Sequence, residues 1–197
     1  MLRCKYDGSS LNYAGHGNEI EIPDCDEIHR GLAEPSLTRF NNRFYLTLRS
    51  DHRGYIATSK DGMSFHEPFR WRYVDGEELG SYNTQQHWVT HSAGLFLAYT
   101  RRGAHNDHIF RHRAPVFMAR IDPDRAVVIR DTERIIVPET GTRMGNFGVV
   151  HVSPAESWVI TTEWMQPHRP DLWKKYGTDN RIFCARIRWS EPNNVRR

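Results

Sequence analysis

Residues 99–113, YTRRGAHNDHIFRHR, concentrate groups that bind anions or move protons. The planar guanidinium groups of Arg101, Arg102, Arg111 and Arg113 can each grip a carboxylate with two parallel hydrogen bonds. His105, His108 and His112 titrate close to neutral pH and can serve as general acid or base. His87, on a neighbouring β-rich run, can face His108 across a cleft as an imidazole pair. Gln86, Asn106, Asp107 and Asn146 supply amide and carboxylate partners for hydroxyl groups. The competing reading is a solvated polar loop whose histidines bond the backbone. The density of such groups in one short stretch favours function.

His105-x-x-His108-x-x-x-His112 also has metal-ligand spacing. Zinc needs three or four converging ligands with supporting hydrogen bonds, and the strand signals on both sides argue against the helix that would align His108 with His112. Neither a metal nor a cofactor is therefore expected. Among carboxylates, Glu34 precedes Pro35 at a strand start and can act as acid, base, hydroxyl ligand or backbone cap. Glu163, after Thr161 and Thr162 and beside Trp164, has the same choices, and strand alternation can also point it into the packing. Asn146, between Gly145 and Phe147, marks either a close approach of backbone to ligand or a strand-entry turn. Trp71 and Trp173 are candidates for stacking on a sugar ring, whereas Trp88, Trp158 and Trp189 lie in strands and read as core.

The elements that must position these groups are strands. Helical periodicity is nearly absent, and short runs rich in β-branched and aromatic residues alternate with turn residues. Three units align: strands at 34–40, 43–49, 54–58 and 65–73; at 84–90, 95–100, 114–121 and 126–137; and at 145–152, 157–165 and 180–189, where a fourth strand is missing. A further short strand is read at 18–22. Four antiparallel strands recurring every roughly 45–60 residues are the signature of propeller blades. The fold class expected is all-β, a partial propeller of about three four-stranded antiparallel blades, in one domain over 1–197 with blades near 34–73, 84–137 and 145–189. A β-sandwich with irregular loops is the alternative. Propellers usually close with about four to eight blades, so either these three belong to a larger domain or two copies associate to complete a ring.

That architecture has two unlike rims. Turns within strand pairs are minimal on one, while the links at 101–113, 166–179, 23–33, 74–83 and 138–144 are long and charged on the other. Long loops on a rigid scaffold are the usual home of binding and catalysis. Innermost strands begin near that rim with Glu34, with Gln85–His87 and with Asn146.

Composition bounds the remainder. The 197 residues suffice for one domain with a sizeable core. Net charge is +3 with both signs dispersed, which points away from nucleic acid. No apolar run is long enough to span a bilayer and the N-terminus lacks the apolar segment of a signal peptide, so the expected location is cytoplasmic by default, without membrane partners. Cys4, Cys25 and Cys184 match no zinc or redox spacing and read as free thiols.

Ser59-Lys60-Asp61-Gly62-Met63-Ser64-Phe65 reads S-x-D-G-x-x-F between two strand signals. The Asp carboxylate can accept nearby backbone N–H bonds, Gly tolerates positive φ, and the aromatic folds back over the turn. This pattern resembles a shortened Asp-box (BNR repeat). Together with AEPSLTRF at 33–40, GYIATSKDG at 54–62 and QQHW at 85–88, it is similar to the sialidase (neuraminidase-like) superfamily, in particular bacterial exo-α-sialidase-like proteins. The resemblance implies an Asp-box propeller and a glycoside hydrolase that uses an arginine triad on the substrate carboxylate, an Asp acid/base and a Tyr–Glu pair. Glu21-Ile22-Pro23 stands where the superfamily has Arg-Ile-Pro, and no Tyr–Glu pair can be assigned.

Three functions follow as expectations, all with a carbohydrate as partner. A glycoside hydrolase would use Glu34 with Asp107 or Glu163 as its two carboxyl groups. A polysaccharide lyase on a uronate-containing glycan would use His87 and His108 with Arg101. A non-catalytic carbohydrate-binding or assembly module needs only the polar rim.

Overall fold

The computed structural model describes residues 1–22, 30–164 and 170–195. A hairpin, β1 (Leu2–Tyr6) and β2 (Leu11–His16), precedes three antiparallel sheets. The first sheet runs β3 (Ala33–Phe40), β4 (Arg43–Arg49), β5 (Gly54–Ser59), β6 (Phe69–Arg70). The second runs β7 (His87–His91), β8 (Gly94–Tyr99), β9 (Val116–Asp122), with β10 (Val127–Val128) and β11 (Arg134–Val137) both pairing β9. The third has β12 (Gly148–Ser153), β13 (Glu156–Thr162) and β14 (Ile182–Arg188). One short helix, α1 (Pro170–Tyr176), lies in the β13–β14 link.

The protein is thus an all-β partial propeller, its blades stacked around an axis. Innermost strands stand side by side: Thr38 Oγ1 meets Thr90 Oγ1 at 2.7 Å between β3 and β7, and Trp88 Nε1 donates to the Ser36 carbonyl at 2.9 Å. On the other side of β7 the Gln85 amide donates to the Phe147 carbonyl, just ahead of β12. Face-to-face blade packing makes the core. Tyr45, Ile56, Trp71 and Tyr73 of the first blade close on Trp88, Leu97, Tyr99 and Phe117 of the second. Val89, Ala98, Val116 and Val137 close on Phe147, Val159 and the inward side chains of β14. Each such side chain contributes about 2 kcal/mol of burial, which is what holds sheets that share no hydrogen-bond ladder.

Several local expectations are corrected. Residues 18–22 form no strand: Asn18 substitutes for one by accepting from Phe65 N (2.8 Å) and donating to Phe65 O (3.0 Å), while Ile20 and Ile22 cover the outer face of the first blade. The 65–73 strand shrinks to β6, and the 126–137 strand is split by a 3-10 turn at Arg130–Thr132. Trp71 is fully buried and donates to Thr47 Oγ1 at 2.9 Å, so it is core and not a sugar platform. Trp158 is the reverse case: on β13 it alternates with buried Ser157 and Val159, lies on the opposite face of the sheet from them, and is only partly buried. The Trp173 side chain and Cys25 lie outside the described residues; Cys4 and Cys184 are free thiols.

The Ser59–Phe65 turn is built as its residues dictate. Asp61 Oδ1 accepts from Met63 N and Ser64 N at 2.8 Å each and from Ser59 Oγ at 2.9 Å, and these bonds hold the carboxyl down at about 2. Gly62 takes φ +75°, with Phe44 packed where a Cβ would point. The turn follows the far end of β5, whose near end pairs with Arg49. Asp61 and Arg49 therefore occupy opposite rims.

Candidate functional site

On the Arg49 rim, the three blades surround a cleft of about 440 Å³ lined by Glu34, Arg49, Arg111, Arg113, Asn146 and Trp164, with Arg30 at its edge. Each group arrives by a local device. A register shift in the β3–β4 pairing between Ala33 and Ser36 turns Glu34 out of the ladder at φ +51°, an uncommon conformation for a non-glycine residue. Glu34 Oε2 accepts from Arg49 Nε at 2.9 Å. Arg49 also reaches Asp51 (3.4 Å), which Arg30 clasps through Nε at 2.8 and 2.9 Å. The Arg30 bond holds the Asp51 carboxyl below the usual carboxylate range, so Asp51 is a fixed anion.

Arg113 is different. Only 5% exposed, it donates to the Asn83 carbonyl (2.9 Å) and to Asn146 Oδ1 (3.2 Å), both neutral. Burial pushes its pKa below the ordinary guanidinium value; Glu34 opposes that shift, while Arg111, Arg49 and Arg30 reinforce it. Arg111, at φ +57°, lies over the Phe110 ring. Among the described residues neither Arg111 nor Arg113 bonds a carboxylate. Trp164, 41% exposed, completes the wall with the Arg143 guanidinium 3.3 Å and that of Arg113 5.2 Å from its ring centroid. Burial, then Arg113 and Arg111, bring Arg143 down to about 10. Among the described residues the pocket therefore holds more positive charge than its carboxylates offset, beside an aromatic face.

Of the residues the sequence offered for the site, Glu34, Arg111, Arg113 and Asn146 meet in this pocket. His87 stands nearby on β7, edge-on to Phe147 at 5.5 Å; burial lowers its pKa, opposed by Glu34, leaving the imidazole neutral at pH 7. The others serve the fold. Gln86 is buried against Thr47 and Ser81, and Asn106, fully buried, donates to the carbonyls of Arg101 (2.9 Å) and Ala114 (2.7 Å). Arg101 is clasped by Glu133 (2.6 Å), a carboxylate that also takes the Tyr73 and Tyr99 hydroxyls. Arg102 lies over Tyr82 and bonds the His52 carbonyl. Both line a larger cleft, about 690 Å³, where Glu78 pairs Arg53 and Asp75 with Glu77 pairs Arg130, so the charge is internally matched. Glu163 is buried and binds Asp179 N (3.0 Å), Arg181 N (3.1 Å) and Thr140 Oγ1 (3.1 Å), a structural carboxylate.

The three loop histidines separate. His108 turns to Glu139 (3.0 Å), and among the described residues no cluster of metal-binding side chains forms. His112 sits in a chain: Tyr82 Oη lies 2.5 Å from His112 Nδ1, and His112 Nε2 lies 3.1 Å from Asp107 Oδ1. His112 is flanked by Arg111 and Arg113, and Tyr82 by Asn83, so this chain borders the arginine pocket. Arg49, Trp164 and Tyr82 were not singled out from sequence. Arg49 had a signal, since it ends a strand on the loop-bearing rim; Trp164 falls near the end of the strand read at 157–165, and Tyr82 lies outside any strand run.

No family model and no curated protein matches the chain. Solved structures do. A phage phi92 endosialidase superposes with TM-score 0.51 at 18% identity, over 97% of this chain and 31% of that one. A protein of unknown function from Dyadobacter fermentans gives 0.54 at 14%, over 96% and 45%. The Bacteroides ovatus xyloglucan PUL GH43B gives 0.50 at 11%, over 85% and 29%. The chain spans less than half the length of each. At such identities the likeness is one of fold, and the fold shared is the propeller-type stack of antiparallel blades.

Proposed function

We propose that the protein is carbohydrate-active and takes an acidic sugar into the axial pocket, its carboxylate between Arg111 and Arg113 and its ring against Trp164. The observation that carries this reading is the pair Arg111 and Arg113, cations bordering a cleft that among the described residues bond no carboxylate: Arg113 bonds two neutral acceptors and Arg111 lies over the Phe110 ring. A ligand carboxylate would relieve the mutual repulsion of Arg111, Arg113, Arg49 and Arg30. Within this class the sequence resemblance favours a sialidase-like glycoside hydrolase. Its members hold the substrate carboxylate with arginines, and Glu34 is the pocket carboxylate available as base or nucleophile.

The Tyr82–His112–Asp107 chain favours a second reading, a lyase on uronate-containing glycans. With Nε2–H donating to Asp107, His112 Nδ1 accepts the Tyr82 proton, and burial keeps that phenol protonated at rest. Elimination breaks C5–H, whose proton goes to the Tyr82 oxygen as its own passes to His112. It also breaks C4–O4, whose oxygen leaves with the electron pair and takes a proton from solvent water, and C4=C5 forms. Incubation with sialylated and uronate-containing oligosaccharides separates the readings. Hydrolysis yields a new reducing end or free sialic acid and fails in Glu34→Gln. Elimination yields ultraviolet-absorbing unsaturated uronate and fails in Tyr82→Phe. Absence of binding to every acidic glycan would contradict both.

A further inference from the structure

We propose that a second copy of this chain docks on the outward face of the third blade, closing two partial propellers into one ring through two equal head-to-tail contacts. The third sheet has one packed and one open face. Val149, Val159, Phe183, Ala185 and Ile187 pack toward the second blade. The alternate positions point away, in register as Gly148–Ile160–Cys184 and Val150–Trp158–Arg186, with Ile182 beside Thr162. Val150 is 43% exposed, Val152 47% and Ile182 73%. An apolar sheet face of this kind is covered in stable domains, and in this chain each earlier blade covers its neighbour in that way.

The complementary surface is at the other end of the same chain. Hairpin β1–β2 presents Leu2, Tyr6, Leu11 and Tyr13 on one face, each between 63% and 74% exposed. A lone two-stranded hairpin is marginal in water unless it packs on something. Between the hairpin and the outer face of the first blade runs a groove of about 730 Å³, lined by Leu2, Ile20, Pro35 and Leu46, with Glu19 and Glu21 at its edge. On the third blade Arg186 is held by Glu156 of the same sheet, and Arg188, exposed at the end of β14, is the cation that would meet those carboxylates. Apolar surface at both ends, and Arg188 against Glu19 and Glu21, thus correspond between the two ends of one molecule.

The area suffices. Three strands about 4.8 Å apart and roughly six residues long at about 3.3 Å each give about 290 Å² of flat face. Two contacts, each burying two such faces, cover about 1,100 Å² before side-chain relief and the hairpin are added, which reaches the size range of specific interfaces. Head-to-tail contacts close into a ring when the rotation permits and otherwise grow as filaments. A two-fold ring would also wall the open side of the axial pocket, but the proposal does not depend on what that pocket binds.

The test is solution mass by light scattering at about 10 µM chain, within the affinity range of interfaces this large. The expected mass is twice the 23.1 kDa of the chain. Val150→Glu alone and Leu11→Lys alone, both surface changes, each give a monomer with unchanged circular dichroism. Mixing the two variants restores dimer, because one contact of the mixed ring then joins two unaltered faces. A monomeric wild type, a dimer that survives either change, an open-ended series of masses, or no rescue on mixing would overturn the proposal.

Discussion

Replacing Arg113 by methionine separates the cost of the arginine from its use. The guanidinium is 5% exposed and makes two charge-assisted hydrogen bonds, to the Asn83 carbonyl and to Asn146 Oδ1. Such bonds contribute about 1.5–3 kcal/mol each, and taking the charge out of water costs several kcal/mol. Burial and the neighbouring arginines depress its pKa despite Glu34, so the folded state disfavours the charged form. Methionine removes both contributions, and they nearly cancel. For a chain of this length, about 2–4 °C accompanies each kcal/mol, so the melting temperature should move by less than about 4 °C. Binding should respond otherwise. Loss of a two-pronged grip on a ligand carboxylate, about 3 kcal/mol, lowers affinity roughly 100-fold. Thermal melts beside calorimetric titration with an acidic oligosaccharide that binds the wild type measure both. A melting temperature lowered by about 10 °C or more, with affinity unchanged, would show that Arg113 holds the fold and would refute the reasoning.

Three further outcomes follow from other parts of the structure. Glu163→Gln should destabilise by about 1.5–3 kcal/mol at neutral pH, because the backbone N–H groups of Asp179 and Arg181 lose an anionic acceptor. Burial raises the Glu163 pKa, but those bonds outweigh it and the net shift is downward. Its contribution is thus present above the unfolded value near 4.5 and lost as pH falls through the lower folded value; urea melts from pH 7 to 3 should converge for wild type and variant. His87 works with the opposite charge: burial favours its neutral form, so stability should decline as pH drops below 6.5 toward the lower folded pKa, and His87→Gln should flatten that slope. Trp164→Ala should weaken glycan binding by about 1 kcal/mol through loss of the stacking wall, with little change in the melt, since the side chain is 41% exposed.

The strand pattern located the rim that bears the long links and the arginine pocket. Period-2 runs and the placement of short turns against long links put Glu34, Arg111 and Asn146 at one end of the blades and Asp61 at the other, and the coordinates agree. What sequence could not resolve was which polar groups in the 99–113 link would turn inward. Asn106 ties two carbonyls within its own link, and Arg101 finds Glu133 just ahead of β11, a partner that no local pattern announces. Trp71 was misjudged because the strand after Asp61 is only two residues long, too short for alternation to show which side is buried. Trp164 and Arg49 enter the pocket through register and link geometry, and only the first of these has a sequence trace, in the position of Arg49 at a strand end.

Calorimetric titration of one acidic oligosaccharide against the same molecule with its carboxyl reduced to an alcohol tests the central claim most directly. The account predicts saturable binding of the carboxylate form, loss of binding on reduction, and the same loss in Arg113→Met with the native ligand. Equal binding of both forms, or binding indifferent to Arg113, would contradict it.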